Sequence, residues 1–196
     1  MNNVGIFLFN DIELLDFAGP YEVFSVTSEL NDFQLFKVFT ISSDGAEIKS
    51  VNGLRVIPDF TFDNHPPVDI LVIPGGVGTR KEVNKQEVLT WVNNTCKDAK
   101  TTMSVCSGAR LLGALGLLDG LEAVTHHEVI EHLAKIAPNA IINPGKRFTD
   151  NEKIMTAGGI SAGIDLSLHI VKKLYGEEIV NKTIRYMEYG DWRLLP

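Results

Sequence analysis

Apolar segments with the length of β-strands recur along this chain, and segments with helical periodicity lie between them. Residues 4–9 are apolar throughout, and residues 36–41 and 68–73 are mostly apolar. Such strands are typical of a parallel sheet covered on both faces. Their alternation with helices predicts an α/β fold of the flavodoxin-like type, with a doubly wound, mostly parallel sheet and helices on both faces. We expect a single domain over residues 1–196.

Turn signals and apolar periodicity place the remaining elements. Pro20 favours the first turn of a helix, so the first helix is expected to begin at about residue 21. Asn52-Gly53 predicts a hairpin with a two-residue turn. A second hairpin is expected around Asp150-Asn151. Further helices are predicted over 82–97, 128–136, 161–174 and 177–186.

The segment around Cys106 predicts a strand, a sharp turn and a helix. A side chain on such a turn projects from the carboxyl edge of the sheet, where the N–H groups and positive dipole end of the next helix favour a thiolate. Activated nucleophilic cysteines occupy this setting, although a buried, inert thiol is the ordinary alternative. Gly108 allows strand and helix to approach closely. Ser107 offers a backbone N–H and a hydroxyl beside the sulfur.

Three unusual stretches follow strands of the predicted sheet, namely Asp16, Gly75-Gly76 and Cys106. Ligands of doubly wound sheets bind outside the carboxyl ends of the strands, so these stretches should converge. Asp16 has apolar neighbours, which favour a raised pKa and a role as proton donor. Capping of its own helix is the alternative.

A pair of backbone donors is expected beside the sulfur. The N–H groups of Gly76 and Ser107 could stabilise an oxyanion there, whereas Gly75-Gly76 taken alone is more often a plain turn. His126 and His127 follow a short strand, and either could act as a base toward Cys106. The alternative is a histidine that caps the helix beginning at Glu128.

Three metal- or cofactor-binding motifs can be excluded from the spacing and identity of the residues. His127 and His132 are five positions apart, whereas zinc proteases place two histidines four apart on one helix face. Residues 10–13 contain no glycine, which excludes the dinucleotide fingerprint at the first turn. Residues 75–78 lack the Gly-Lys-Ser/Thr ending of a phosphate loop. We therefore expect neither a metal nor an organic cofactor.

Composition limits the partners and the compartment. The net charge of −7, from 18 basic and 25 acidic residues, leaves no basic surface for nucleic acid. No stretch approaches the roughly 18 uninterrupted apolar residues of a membrane span, and no basic leader precedes the first apolar run. Cys96 and Cys106 do not form a disulfide framework, so a reducing cytoplasm is expected.

Five motifs together resemble the PfpI superfamily of class I glutamine amidotransferase-like proteins, nearly from end to end. The Asp-Phe-Ala-Gly-Pro stretch is the specific part and points to the isonitrile hydratase branch and to the ligand-binding half of certain AraC-type regulators. The motifs are Cys106-Ser107-Gly108, Ile73-Pro74-Gly75-Gly76, Leu15-Asp16-Phe17-Ala18-Gly19-Pro20, Thr125-His126 and Thr156-Ala157-Gly158-Gly159.

The resemblance implies a homodimer that acts on a small molecule, with Cys106 as nucleophile, Asp16 as acid and Ser107 assisting. It implies hydration of isonitriles to N-substituted formamides, in which the Cys106 thiolate attacks the terminal carbon and protonated Asp16 delivers a proton. Two positions depart from the pattern: Ser107 stands where threonine is expected, and His127 where tryptophan is expected.

Other functions use the same residues. A thiolate beside two N–H donors also suits a glyoxalase, a deglycase or an amidase acting on small molecules. An accessible thiolate could instead serve as an oxidation sensor. The chain could also be the ligand-binding remnant of a regulator, which would bind a small molecule without turnover.

Overall fold

The protein is described by a computed structural model covering residues 1–195. Seven strands form one central sheet, and two strand pairs lie outside it. The strands are β1 (Asn2–Phe7), β2 (Phe36–Ser42), β3 (Ile48–Lys49), β4 (Arg55–Val56), β5 (Phe60–Thr61), β6 (Ile70–Ile73), β7 (Thr101–Val105), β8 (Glu122–Ala123), β9 (Ile141–Ile142), β10 (Phe148–Asn151) and β11 (Ile154–Ala157). The α-helices are α1 (Leu14–Glu29), α2 (Thr79–Glu82), α3 (Gln86–Asp98), α4 (Ala109–Ala114), α5 (Ile130–Ile136), α6 (Ala162–Tyr175) and α7 (Glu177–Tyr186).

The central sheet has the order β10-β11-β7-β6-β1-β2-β5, and each neighbouring pair is parallel except β10 and β11. The chain adds β2 on one side of β1 and later returns to add β6 on the other. This reversal is the topological switch of a doubly wound sheet, and it lies between β1 and β6. The predicted flavodoxin-like α/β class is confirmed.

The middle of the sheet is the centre of the hydrophobic core. Ile6, Val72 and Met103 lie side by side on β1, β6 and β7, and none is exposed to solvent. On α3, the Trp91 ring packs 5.5 Å from the Phe7 ring. Helices α1, α6 and α7 pack against one another over the sheet. This packing makes a rigid platform for the loops that follow β1, β6 and β7.

Three local predictions differ from the structure. Helix α1 begins at Leu14 and holds Pro20 in its interior, so the expected start near residue 21 is wrong. The predicted helix over 82–97 is two helices, α2 and α3. The first hairpin pairs β3 with β4 as expected, but its loop has three residues, 51–53, and not two. The Ser50 N–H donates to the Leu54 carbonyl, and the Ser50 carbonyl accepts from the Gly53 N–H.

The second hairpin and the helices α6 and α7 were predicted correctly, but Asp150 and Asn151 lie at the end of β10, so the turn is at residues 152–153 and not at 150–151. None of the helices within residues 1–195 is both long enough and apolar enough to cross a membrane.

Candidate active site

Cys106 occupies a strained turn directly after β7. Its φ angle is 55°, in the left-handed region that non-glycine residues rarely adopt. Its N–H donates to the carbonyl of Gly158 at 2.9 Å, and its own carbonyl accepts from the Thr125 hydroxyl at 2.7 Å. These two bonds anchor the backbone on both sides of the turn. The thiol is therefore held at the carboxyl edge of the sheet, as predicted.

Asp16 lies in the first turn of α1 and is 0 % exposed. Its Oδ2 accepts a hydrogen bond from the backbone N–H of Gly75 at 2.9 Å, and no side chain caps the start of α1. The expected alternative of a helix cap is thus wrong. Burial outweighs the Gly75 hydrogen bond and raises the pKa of Asp16 to about 7, which confirms the predicted direction.

The Cys106 thiol and the Asp16 carboxyl are close enough for a hydrogen bond between them to influence both pKa values. Asp16 Oδ1 makes no hydrogen bond of standard geometry with any of residues 1–195. Burial, and then the negative charge of Asp16, raise the pKa of Cys106 to about 12. The thiolate expected from the sequence is therefore not favoured in the resting protein. Cys106 as a whole is only 7 % exposed. The helix that follows it, α4, is short, with six residues.

Gly75 is the point where the three strand ends meet. A Cβ atom at this position would lie 2.5 Å from the Ser107 nitrogen and 2.7 Å from Asp16 Oδ2. Only glycine fits there, since real contacts are essentially never that short. Gly108 is similarly confined, because a side chain would collide with the carbonyl oxygen of Ile73. The predicted convergence of the loops after β1, β6 and β7 is confirmed.

The Ser107 hydroxyl is engaged with the loop after β6. It accepts from the Gly76 N–H at 2.9 Å and lies 3.0 Å from the Gly76 carbonyl, to which it can donate. The Thr79 hydroxyl donates to it at 3.2 Å. The Gly76 N–H therefore stabilises a protein oxygen in the resting state, and an oxyanion would have to displace that bond.

Two other backbone N–H groups point at the sulfur. Those of Ser107 and Ile160 hydrogen-bond Cys106 and act to lower its pKa, although burial outweighs them. Ser107 was predicted as a donor, whereas Ile160 was not. Ile160 follows the Gly158-Gly159 pair after β11 and has a left-handed φ of 46°. The glycine pair at a strand end was the available signal.

His126 lines the cleft, and its ring caps the helical turn that follows it. Its Nδ1 accepts the backbone N–H of Glu128 at 3.3 Å, at the start of the turn that leads into α5. The side chain of His127 is 79 % exposed. The geometry favours the capping alternative over a base that contacts Cys106.

The thiol opens into a small cleft of about 210 Å³. Sequence reasoning did not single out two of its lining residues, Arg80 and Arg110, which bring two guanidinium groups to the cleft. Arg110 lies at the start of α4, and the local sequence does not distinguish it from an ordinary surface arginine. The acids Glu13 and Glu128 also line the cleft. No group of three or more potential metal ligands occurs within residues 1–195.

This chain resembles members of one protein family in sequence. The model of the DJ-1/PfpI family matches residues 2–173. An isonitrile hydratase from Pseudomonas putida is 32 % identical over 191 residues, covering 95 % of this chain and 78 % of its own length. The HTH-type transcriptional regulator GbdR of Pseudomonas aeruginosa is 27 % identical, covering 90 % of this chain and 48 % of the regulator, so this chain spans about half of it.

The fold leads to the same group. The crystal structure of a THiJ/PfpI family protein from Pseudomonas syringae superposes with a TM-score of 0.86 at 27 % identity, covering 96 % of this chain and 75 % of that one. The family model spans most of the sequence, and the sheet order and cysteine turn lie within it. The chain belongs to the DJ-1/PfpI family.

Proposed function

We propose that this protein hydrates small isonitriles, R–N≡C, to N-substituted formamides, with Cys106 as nucleophile and Asp16 as the proton-transfer group. One observation carries the proposal: the thiol lies against a fully buried carboxyl whose pKa is about 7. An isonitrile receives the nucleophile and the proton on the same terminal carbon. An acid directly beside the sulfur therefore suits it.

The reaction balances through a thioimidate. Asp16 as carboxylate takes the Cys106 proton while the sulfur forms a bond to the terminal carbon. Protonated Asp16 then gives that proton to the same carbon, which yields R–N=CH–S–Cys106. Water adds to this carbon, nitrogen gains a proton, and the C–S bond breaks to release R–NH–CHO and the thiol. The raised pKa of Asp16 supports both halves of the shuttle, because a group near its midpoint at neutral pH both accepts and donates readily.

The relatives support this choice without deciding it. The isonitrile hydratase of P. putida aligns along most of this chain, while the regulator GbdR aligns over nearly as much of it. A regulator-like domain would bind a ligand without turnover. An oxidation sensor fits the site less well, because sensor cysteines have low pKa values, whereas that of Cys106 is raised.

The test follows an alkyl isonitrile by proton NMR with wild type, Cys106→Ala and Cys96→Ala. Cys96 is a matched control, since it is the other buried free cysteine and lies on α3. We expect formamide from wild type and Cys96→Ala and none from Cys106→Ala. Formamide from Cys106→Ala would remove the covalent mechanism, and no formamide from wild type would remove the proposed reaction.

A glyoxalase reaction is the second candidate. The N–H groups of Ser107 and Ile160 beside the sulfur could stabilise the oxygen of a hemithioacetal formed from an α-ketoaldehyde. Production of lactate from methylglyoxal by wild type, together with no formamide from isonitriles, would favour it.

We further propose the cytoplasm as the location of this reaction. Cys96 and Cys106 are both free thiols, and free thiols persist in reducing compartments.

A further inference from the structure

Arg110 is a buried cation without an anionic partner. The residue is 3 % exposed, yet it lines the cleft beside Cys106. Its Nη1 donates to the Thr79 hydroxyl at 2.9 Å, and its Nε donates to His132 Nδ1 at 3.3 Å. Both partners are neutral acceptors, and no carboxylate of residues 1–195 forms an ion pair with it. A buried charge without a counter-charge destabilises the folded protein, unless a bound ligand supplies that counter-charge.

The surroundings of Arg110 add positive charge to the cleft. Burial first, and then the nearby Arg80, lower the pKa of Arg110, and no carboxylate contributes to raise it. Burial and the same two arginines lower the pKa of His132, which keeps that ring neutral and able to accept from Arg110. Glu13 and Glu128 line the cleft, but neither pairs with a guanidinium within the described part of the chain.

We propose that Arg110, together with Arg80, binds a carboxylate on the substrate while Cys106 attacks the other end. The planar guanidinium fork matches a carboxylate, which would supply the missing counter-charge. The cleft of about 210 Å³ limits the substrate to a short molecule. This inference rests on the proposed function and makes isonitriles that carry a carboxylate a few bonds from the reacting carbon the preferred substrates over uncharged ones.

The direct test compares isocyanoacetate with its uncharged methyl ester. We expect wild type to have the higher kcat/KM on the acid. In Arg110→Gln the acid-to-ester preference should fall at least about tenfold, because hydrogen bonds between charged groups are worth that factor or more. Arg55→Gln is the matched control, since it removes the same charge from a β4 side chain that is 67 % exposed and paired with Glu47.

A second test does not need turnover. Iodoacetate and iodoacetamide alkylate Cys106 by the same displacement, in which the sulfur gives its proton to Asp16 or water, forms the S–C bond and releases iodide. Only iodoacetate carries a carboxylate. The rate ratio of iodoacetate to iodoacetamide should fall at least about tenfold in Arg110→Gln relative to wild type and Arg55→Gln. Peptide mass spectrometry separates Cys106 from Cys96.

The two tests separate the two proposals. A changed alkylation ratio without any formamide would retain the anion site and reject the isonitrile reaction. An unchanged ratio in a folded Arg110→Gln protein would overturn the anion site whatever the substrate. If Arg110→Gln does not fold, the exposed Arg80→Gln variant is used, and an unchanged ratio there overturns the joint role of the two arginines.

Discussion

The backbone N–H of Gly75 donates a 2.9 Å hydrogen bond to Oδ2 of Asp16, which joins the loop after β6 to the first turn of α1. The bond orients the carboxyl toward Cys106, and it favours the ionised form. Burial opposes that effect more strongly, so the pKa of Asp16 rises to about 7. The carboxyl thus changes its protonation state close to neutral pH.

Catalysis should depend on pH through this pair. The reactive state holds one proton between Asp16 and Cys106, whichever of the two carries it. We expect kcat/KM for an alkyl isonitrile to rise about tenfold per pH unit up to about pH 7, the pKa of Asp16, and then to level off. Asp16→Asn should lower the plateau at least about tenfold and abolish that limb. An unchanged pH profile in Asp16→Asn would show that Asp16 takes no part in proton transfer.

The same carboxyl should make the protein less stable as pH rises. The folded pKa of about 7 exceeds the ordinary value of 3.8, so the folded state binds the proton more tightly. The free energy of unfolding should therefore fall between about pH 4 and pH 7, by an amount on the order of 4 kcal/mol, and be flat above that range. Urea unfolding of wild type and Asp16→Asn at pH 4 and pH 8 measures this, with the variant the more stable at pH 8.

Asp150 provides a control of opposite sign. Its pKa is lowered because hydrogen bonds from His169 and Lys173 outweigh its partial burial. The stability it contributes is present above the ordinary aspartate pKa and is lost as pH falls through its lower folded value. Asp150→Asn should therefore destabilise the protein at pH 8. If both aspartate variants shifted stability in the same direction, the opposite assignments would be wrong.

Gly75→Ala should disrupt the site. The new methyl group would lie 2.5 Å from the Ser107 nitrogen and 2.7 Å from Asp16 Oδ2, so the backbone must move. Overpacking of this kind lowers the free energy of unfolding by about 1–3 kcal/mol. We also expect the turnover rate to fall in the protein that remains folded, because the thiol and the carboxyl are pushed apart. Gly145→Ala is the control, since its nearest neighbour would lie 3.5 Å away. Thermal unfolding and formamide production would be compared. A fully active Gly75→Ala protein would contradict the geometry described for this loop.

The strand positions and the convergence of the site were predictable because they depend on local patterns. An apolar run that is buried on both faces marks a parallel strand, and the carboxyl ends of such strands share one edge. Asp16, Gly75 and Cys106 therefore came together as expected. The start of α1 was missed because Pro20 lies buried in the interior of the helix, whereas proline usually marks the first turn.

The electrostatics of the site were not predictable in the same way. The pKa of Cys106 depends on its burial and on a carboxyl 90 positions earlier in the chain, and neither is encoded around the cysteine itself. The role of Arg110 was missed for a similar reason. A single arginine near a helix start looks like an ordinary surface residue until its burial and the lack of an acidic partner are known.

Removing the Ser107 hydroxyl should destabilise the loop after β6. Ser107→Ala leaves the Gly76 N–H without its 2.9 Å partner and takes away an acceptor of Thr79, at a cost of about 1–3 kcal/mol. Ser107→Thr keeps the oxygen and is expected to recover most of that stability. Urea unfolding of the three proteins measures the difference. Equal stability of Ser107→Ala and wild type would show that the hydroxyl does not hold this loop.

Substitution of His126 separates a capping role from a catalytic one. Its Nδ1 accepts the Glu128 N–H at 3.3 Å, and asparagine can make the same bond, whereas alanine cannot. We expect His126→Asn to keep the wild-type free energy of unfolding and His126→Ala to lose about 1 kcal/mol of it, as measured by urea unfolding. A general base contributes about 100-fold or more to turnover. A stable His126→Asn protein that had lost formamide production by that factor would therefore identify His126 as a proton-transfer group and reject the cap as its main role.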